Sequence, residues 1–210
     1  MNDKKKILVL APHTDDGEFG CGGTISRFLD EKKEIYYAAF STARESVPNG
    51  LPENILEIEV RNATKVLGIN SNNLIIYGFT VRKLNYVRQE ILEKLVKLKK
   101  EIDPDLILLP SDCDLHQDHF TVAKEGQRAF KDKSILAYEL PWNNITFQTR
   151  CFIELEKIHI DRKINAIKEY KSQQKRAYAN PEFIESLAIT RGVQIGVKYA
   201  ESFEVVRWVI

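Results

Sequence analysis

The chain has 210 residues, enough for one well-buried domain and no reason to divide it into two. Its 43% apolar and 29% charged residues are ordinary for a globular protein. Lys plus Arg (31) nearly balances Asp plus Glu (30), which excludes an overall field that would draw nucleic acid or an anionic membrane surface.

The first element is KILVLA (Lys6–Ala11), a continuous apolar run expected of a strand covered on both faces. Gly22 to Lys32 reads as a helix, with Ile25, Phe28 and Leu29 on one side. EIYYAAFS (Glu34–Ser41) is a second strand. A helix follows from Pro52 to Leu67, its apolar stripe made by Ile55, Leu56, Val60, Ala63 and Leu67 and its end marked by Gly68. NLIIYGF is a third strand, and Val87–Ile102 a helix with Ile91, Leu95 and Leu98 inward and lysines outward. Pro104 ends it. DLILLP (Asp105–Pro110) and ILAYEL (Ile135–Leu140) are further strands, on either side of a helix over Phe120–Phe130. Beyond Pro141 the pattern predicts a strand near Phe152–Leu155, helices over about Asp161–Lys175 and Pro181–Tyr199, and a last strand near Phe203–Val209. Strand–helix alternation through the first two thirds predicts an α/β fold, a Rossmann-like, mostly parallel sheet flanked by helices in a single domain over residues 1–210.

Cys21, Cys113 and Cys151 are widely spaced and odd in number, which suits a reducing compartment better than a disulfide framework. The basic start MNDKKK leads only into ILVL, too short for a signal peptide, and no stretch is long enough to span a membrane. The expected location is the cytoplasm.

Ligands of open parallel sheets bind outside the carboxyl ends of the strands. Two loops leave such ends carrying chemistry: PHTDDGE after the first strand, and SDCDLHQDH (Ser111–His119) after DLILLP. Three of the four histidines lie in them; His159, in a polar stretch, reads as a surface residue. A dinucleotide fingerprint fails here. Gly20, Gly22 and Gly23 give G-x-G-G with Ile25 where the third glycine belongs, no Walker lysine follows, and Asp15, Asp16 and Glu18 put negative charge where phosphate would sit. A metal site fits better: His13, Asp16 and one histidine of HQDH would give the three protein ligands of a catalytic zinc, with the glycines letting the helix start close to the strand. The plainer alternative is that Asp15 or Asp16 caps the following helix and the histidines bond locally. Histidines among the ligands favour zinc or iron over calcium or magnesium. Cys21 and Cys113 have no base spaced to activate them, and Asp112 and Asp114 read as turn-shaping residues.

His13-Thr14-Asp15-Asp16-Gly17-Glu18, with GCGGTI behind it, HQDH about a hundred residues later and TRGVQIGVKYAESFEV near the C-terminus, resembles the PIG-L/LmbE-like family of zinc-dependent N-deacetylases over nearly the whole chain. One departure is Thr14, where the family usually has proline. The resemblance implies that His13, Asp16 and His119 hold Zn2+, with Fe2+ an alternative occupant of the same ligands. It implies that Asp15 is the general base that takes a proton from the attacking water, that His116, as imidazolium, stabilises the oxyanion or helps protonate the amine, and that Asp118 orients and charge-pairs a histidine. Arg61, in EVRNATKVLG, matches a family arginine that holds the substrate. Arg44, after the second strand, is a further candidate anion contact, and Trp142, in AYELPWNN, a candidate wall for a sugar ring; Arg191 is ambiguous. The implied substrate is a small amino-sugar compound losing its N-acetyl group, and homo-oligomers occur among similar proteins. Two alternatives stand beside this: an amidase for a non-sugar N-acyl compound, and a non-catalytic metal-holding protein. Retention of both Asp15 and His116 argues against the second.

Overall fold

The computed structural model describes residues 4–210, so Met1–Asp3 of the basic start lie outside the described residues. One seven-stranded sheet runs through the molecule in the order β3-β2-β1-β4-β5-β7-β6. β1 (Lys6–His13) pairs in parallel with β2 (Glu34–Ser41) on one side and β4 (Leu106–Pro110) on the other. β3 (Leu74–Ile76) and β5 (Ser134–Tyr138) extend the parallel array outward. β7 (Tyr199–Arg207) joins β5 antiparallel, and β6 (Cys151–Leu155) closes the edge against β7.

The apolar strands are continuous because both faces are covered. Ile7, Val9 and Ala11 of β1 enter the core shared with α1 (Asp16–Asp30), α2 (Ile55–Leu67), α5 (Lys157–Lys168) and α6 (Pro181–Val193). Leu8 and Leu10 enter the opposite core, under α3 (Arg88–Ile102) and α4 (Gln117–Ala129). After β1 the chain proceeds outward to β2 and β3, then returns to β4 on the other flank. β1 and β4 are therefore the strands between which the winding reverses, and their carboxyl ends open one crevice.

Several boundaries differ from expectation. α1 begins at Asp16 rather than Gly22, yet it is broken at Cys21 (φ −146°, ψ 24°), so a second helical stretch does start at Gly22. The break frees the N–H groups of Gly23 and Thr24, which donate to Glu201 of β7 at 3.0 and 2.7 Å. Lys163 of α5 neutralises that buried carboxylate at 2.7 Å. α5 ends at Lys168, short of Lys175, because Tyr170 turns inward and is fully buried. α6 stops at Val193: Val197 N–H donates back to the Gly192 carbonyl, and Gly196 takes φ +76°. α4 starts at Gln117, which puts Asp118 and His119 on its first turn. β3 is only three residues long, although Tyr77 and Phe79 N–H still bond to β2 carbonyls, and β7 begins at Tyr199.

The glycines of α1 serve close packing. A Cβ on Gly20 would lie 2.2 Å from the ring of Tyr138, which is fully buried and whose hydroxyl donates to the Leu10 carbonyl at 3.0 Å. Gly20→Ala is expected to cost about 3 kcal/mol, the upper part of the overpacking range. For a chain of this size the melting temperature falls by roughly 2–4 °C per kcal/mol. A thermal melt coincident with wild type would mean that Tyr138 can yield.

Candidate active site

His13 is the last residue of β1, and the chain turns into α1 within two residues. That turn is clamped from behind. Tyr37 and Tyr170 hydroxyls lie 2.9 and 2.7 Å from the Thr14 carbonyl, and both also reach the carboxyl of Glu18. Burial pushes Glu18 up to about 8 against these hydrogen bonds, so it carries its own proton at neutral pH and the network is filled. The two phenols thus supply the stiffness a proline would have given at Thr14.

Asp16 opens α1 and accepts the His13 backbone N–H at 2.7 Å. Asp15 precedes the helix, but its side chain makes no cap hydrogen bond, so the plainer reading of Asp15 as a helix cap has no bond behind it. The second loop contributes through α4. His116 is the N-cap residue, its Nδ1 accepting the Asp118 N–H at 3.1 Å. Asp118, fully buried, accepts from Arg82 and Leu84 N–H at 2.5 and 3.1 Å and holds His13 Nε2 at 3.0 Å. His119 meets Asp114 through Nδ1 at 2.7 Å, and the other oxygen of Asp114 takes the His116 N–H, also at 2.7 Å.

These carboxylates fix which ring atoms remain. With Nε2 of His13 and Nδ1 of His119 engaged, His13 Nδ1 and His119 Nε2 are left facing each other at 3.2 Å. Asp16 Oδ2 lies 3.1 Å from the first and 3.2 Å from the second. Two lone pairs and an anion packed this closely require a cation among them. The edges match the ~3.3 Å separation of donors around a tetrahedral zinc with bonds of about 2.0 Å, so the donor set suits that ion. A wider arrangement of His13, His116 and His119, with one nitrogen each within 4.8 Å, is also present, but the cap bond occupies one nitrogen of His116. Without an ion, protons answer the same need. Burial disfavours the charged rings, yet Asp16 and Asp118 raise His13 to about 9, and Asp16 and Asp114 raise His119 to about 10. Burial would likewise raise Asp16, but the His119 and His13 charges hold it well below the usual carboxylate range.

Carboxylates that orient metal-binding histidines typically contribute 10–100-fold to metal affinity. Asp114→Asn keeps the turn bond to His116 and removes the charge behind His119. Zinc affinity measured by chelator competition is expected to drop about tenfold or more; an unchanged affinity would make Asp114 a turn residue only.

The donor triangle forms one end of a cavity of about 310 Å³. Asp15 lines it, half-buried and, among the described residues, with no side-chain hydrogen bond except to its own N–H; burial and then the Asp16 charge raise it to about 6. His116 also lines it. The sequence reading gives that ring a positive charge, but burial and the neighbouring His13 lower its pKa to about 4, and its Nδ1 already accepts. The neutral ring carries its proton on Nε2. Trp142 and Asn143 form part of the wall, Trp142 stacked on Tyr178 at 4.0 Å between centroids and edge-on to Phe19 at 5.4 Å.

Arg61 and Arg44 do not line the cavity. Arg61 projects from α2 into solvent and pairs with Glu57 one turn earlier, at 2.9 Å, while Arg44 lies 3.9 Å from the same carboxylate. Arg191 is bound to Glu139. His159 is buried rather than superficial, closing a capping box with Glu156 at the start of α5 and reaching Asp30 at 3.2 Å. The sequence reading missed Gln173, Arg176 and Tyr178, which line the cavity from the segment between α5 and α6. It also missed the role of Asp114, for which the signal was present: an aspartate five residues before the histidine it orients, in one loop.

The site is thus a His–Asp centre at the winding reversal of a mostly parallel α/β sheet. Residues 8–130 match the model of the PIG-L family, described as GlcNAc-PI de-N-acetylase. The uncharacterized deacetylase YaiS of Escherichia coli K12 is 30% identical over 176 residues, covering 81% of this chain and 93% of YaiS. The diacetylchitobiose deacetylase of Thermococcus kodakarensis is 25% identical, over 98% of this chain and 85% of that protein. The chain belongs to the PIG-L family. In fold it is similar to the N,N'-diacetylchitobiose deacetylase of Pyrococcus horikoshii, with a TM-score of 0.79 and 22% identity over 97% of this chain and 84% of the other. The 4-carboxy-2-hydroxymuconate hydratase of Pseudomonas putida shares the fold as well, with a TM-score of 0.77 and 18% identity over 98% of each chain, so the architecture alone does not choose the reaction. Among the described residues no helix is long and apolar enough to cross a membrane.

Proposed function

We propose that this protein is a zinc-dependent N-deacetylase that hydrolyses the acetamide of a small amino-sugar compound, releasing acetate and the free amine, with residues 1–210 forming one deacetylase domain. The observation that carries the reading is the triangle of His13 Nδ1, Asp16 Oδ2 and His119 Nε2, with edges of 3.1–3.2 Å, opening on a cavity that Asp15 also lines. His13, Asp16 and His119 would hold the ion, zinc or in its place Fe2+. Zinc, when bound, lowers the pKa of a water at its open position to about 7 and polarises the acyl oxygen.

The chain's own residues divide the remaining work. Asp15, raised to about 6, is ionised at neutral pH and basic enough to take a proton from the attacking water and return it to the departing amine. His116 donates from Nε2 to the acyl oxygen as negative charge gathers there. Asp118 and Asp114 hold His13 and His119 in the tautomers that leave the right nitrogens bare. The Trp142–Tyr178 pair offers an apolar wall suited to the C–H face of a sugar ring. Family membership and the names of the relatives support the acetyl amide and the amino sugar. The three unpaired cysteines accord with a reducing, cytoplasmic setting.

The test is acetate release from a panel of N-acetylated hexosamines and their conjugates, with the protein chelated and then reloaded with zinc or Fe2+. Activity on at least one acetylated amino sugar, abolished by chelation and restored by metal, is expected. Cleavage of a non-sugar N-acyl amine with none of the sugars would replace the substrate reading. Inactivity of the loaded protein on the whole panel would overturn the enzyme reading.

A further inference from the structure

The segment between α5 and α6, residues 169–180, was not legible as part of the site, yet it is anchored to the rest of the protein at three points and reaches the cavity through Gln173, Arg176 and Tyr178. Tyr170 lies fully buried and bonds the Thr14 carbonyl at 2.7 Å. Ser172 is bound to Glu59 of α2 through its N–H at 3.0 Å and its hydroxyl at 2.5 Å. Tyr178 is stacked on Trp142. Between the second and third anchors, the Arg176 N–H donates to the Gln173 carbonyl at 2.8 Å, and the Arg176 carbonyl accepts from Ala179 at 3.0 Å. These bonds hold the backbone on either side of Arg176, which is solvent-exposed, lines the cavity together with Gln173 and also borders a neighbouring surface pocket beside Lys168 and Asn180.

Arg176 differs from the other arginines of this region. Arg44 and Arg61 share Glu57, and Arg191 is held by Glu139. Among the described residues the guanidinium of Arg176 has no carboxylate within ion-pair distance, and it is the single Lys or Arg among the residues that line the cavity. A guanidinium presents a planar fork of donors that matches an oxyanion with two hydrogen bonds. A guanidinium without a protein carboxylate, exposed at the rim of the cavity on an anchored backbone, is free to take an anion from a bound ligand.

Resting on the deacetylase reading above, we infer that Arg176 and Gln173 form a subsite for an anionic substituent, phosphate or carboxylate, carried by the amino sugar, in the same cavity as the Trp142–Tyr178 wall and the donor triangle. Arg176 is a specificity-determining residue and takes no part in the bond-breaking step.

The experiment separates binding from turnover. Glucosamine 6-phosphate, muramic acid and glucosamine, which lacks the anionic group, are titrated calorimetrically into zinc-loaded wild type, Arg176→Ala and Arg176→Lys, and kcat/KM is measured on the corresponding N-acetylated sugars. Wild type is expected to bind at least one of the two anionic sugars tenfold or more tightly than glucosamine. Arg176→Ala removes that preference and leaves glucosamine binding unchanged, Arg176→Lys recovers part of it, and added salt weakens it. The phosphate and carboxylate arms identify which anion is meant. On cleavable substrates the loss falls on KM, not on kcat. No anion preference in wild type, or a preference that survives Arg176→Ala, overturns the subsite. An Arg176-dependent preference together with inactivity of the loaded protein on the whole panel of acetylated compounds supports the subsite and overturns the deacetylase reading instead.

Discussion

Replacing Asp15 with asparagine is expected to lower kcat by about 10²–10⁴-fold, the usual contribution of a positioned general base, while leaving KM and bound zinc close to wild type. The amide fills the same space but cannot take a proton. Metal retention is expected because the triangle of donors is completed by Asp16, whose Oδ2 faces both rings, while among the described residues no hydrogen bond or ion pair joins Asp15 to either histidine. The pH profile supplies the second readout. Asp15 is raised from its ordinary value to about 6 by burial and by Asp16, so wild-type kcat should rise with pH through an acid limb at or below about 6 as the carboxylate ionises. In Asp15→Asn that limb disappears along with the activity. If the variant keeps its rate and its limb, the base lies elsewhere. If it loses its metal, Asp15 belongs to the donor set.

The parts of this site that could be read from the sequence are those whose partners are close in the chain or fixed by the sheet. β1 and β4 announce themselves as buried runs, the reversal of winding brings their carboxyl ends together, and PHTDD and HQDH follow directly. Trp142 was accessible by the same logic, since it leaves the carboxyl end of β5. Arg61 does not line the cavity, and its own helix carried the sign of that. Leu56, Val60, Ala63 and Leu67 form the buried stripe of α2, and Glu57 lies four residues before Arg61, which marks an exposed i,i+4 ion pair. The start of α1 was misplaced because glycines suppress helical propensity locally. The tertiary bond of Glu201 to Gly23 and Thr24, nearly two hundred residues away along the chain, accommodates a break that no local pattern encodes. The 169–180 segment was illegible for a similar reason. It has no periodicity, and its position depends on Tyr170 reaching Thr14 and on Tyr178 meeting Trp142.

Replacing Asp16 with asparagine should be still more damaging, because it strikes the ion and the fold together. Loss of the anionic donor removes a Lewis acid worth several kcal/mol of transition-state stabilisation, and at 1.36 kcal/mol per tenfold this amounts to about 10³-fold or more in kcat/KM. Zinc content after dialysis should fall well below one per chain. The stability of the metal-free protein gives an independent check. His13 and His119 have pKa values raised from 6.5 to about 9 and about 10, so each binds its proton more tightly folded than unfolded. Groups shifted in that direction contribute stability that is fully present below pH 6.5 and is lost as pH rises through their folded values. Chelated wild type should therefore melt progressively lower between about pH 6.5 and pH 10. Zinc-loaded wild type should show a much flatter dependence, since the ion replaces the protons that the two imidazoles hold. In chelated Asp16→Asn the chief anion raising both rings is gone, and the decline over that window should shrink. A chelated wild type whose melting temperature does not move across the window would mean that the two imidazoles and Asp16 are not coupled, and the donor triangle would lose its electrostatic basis.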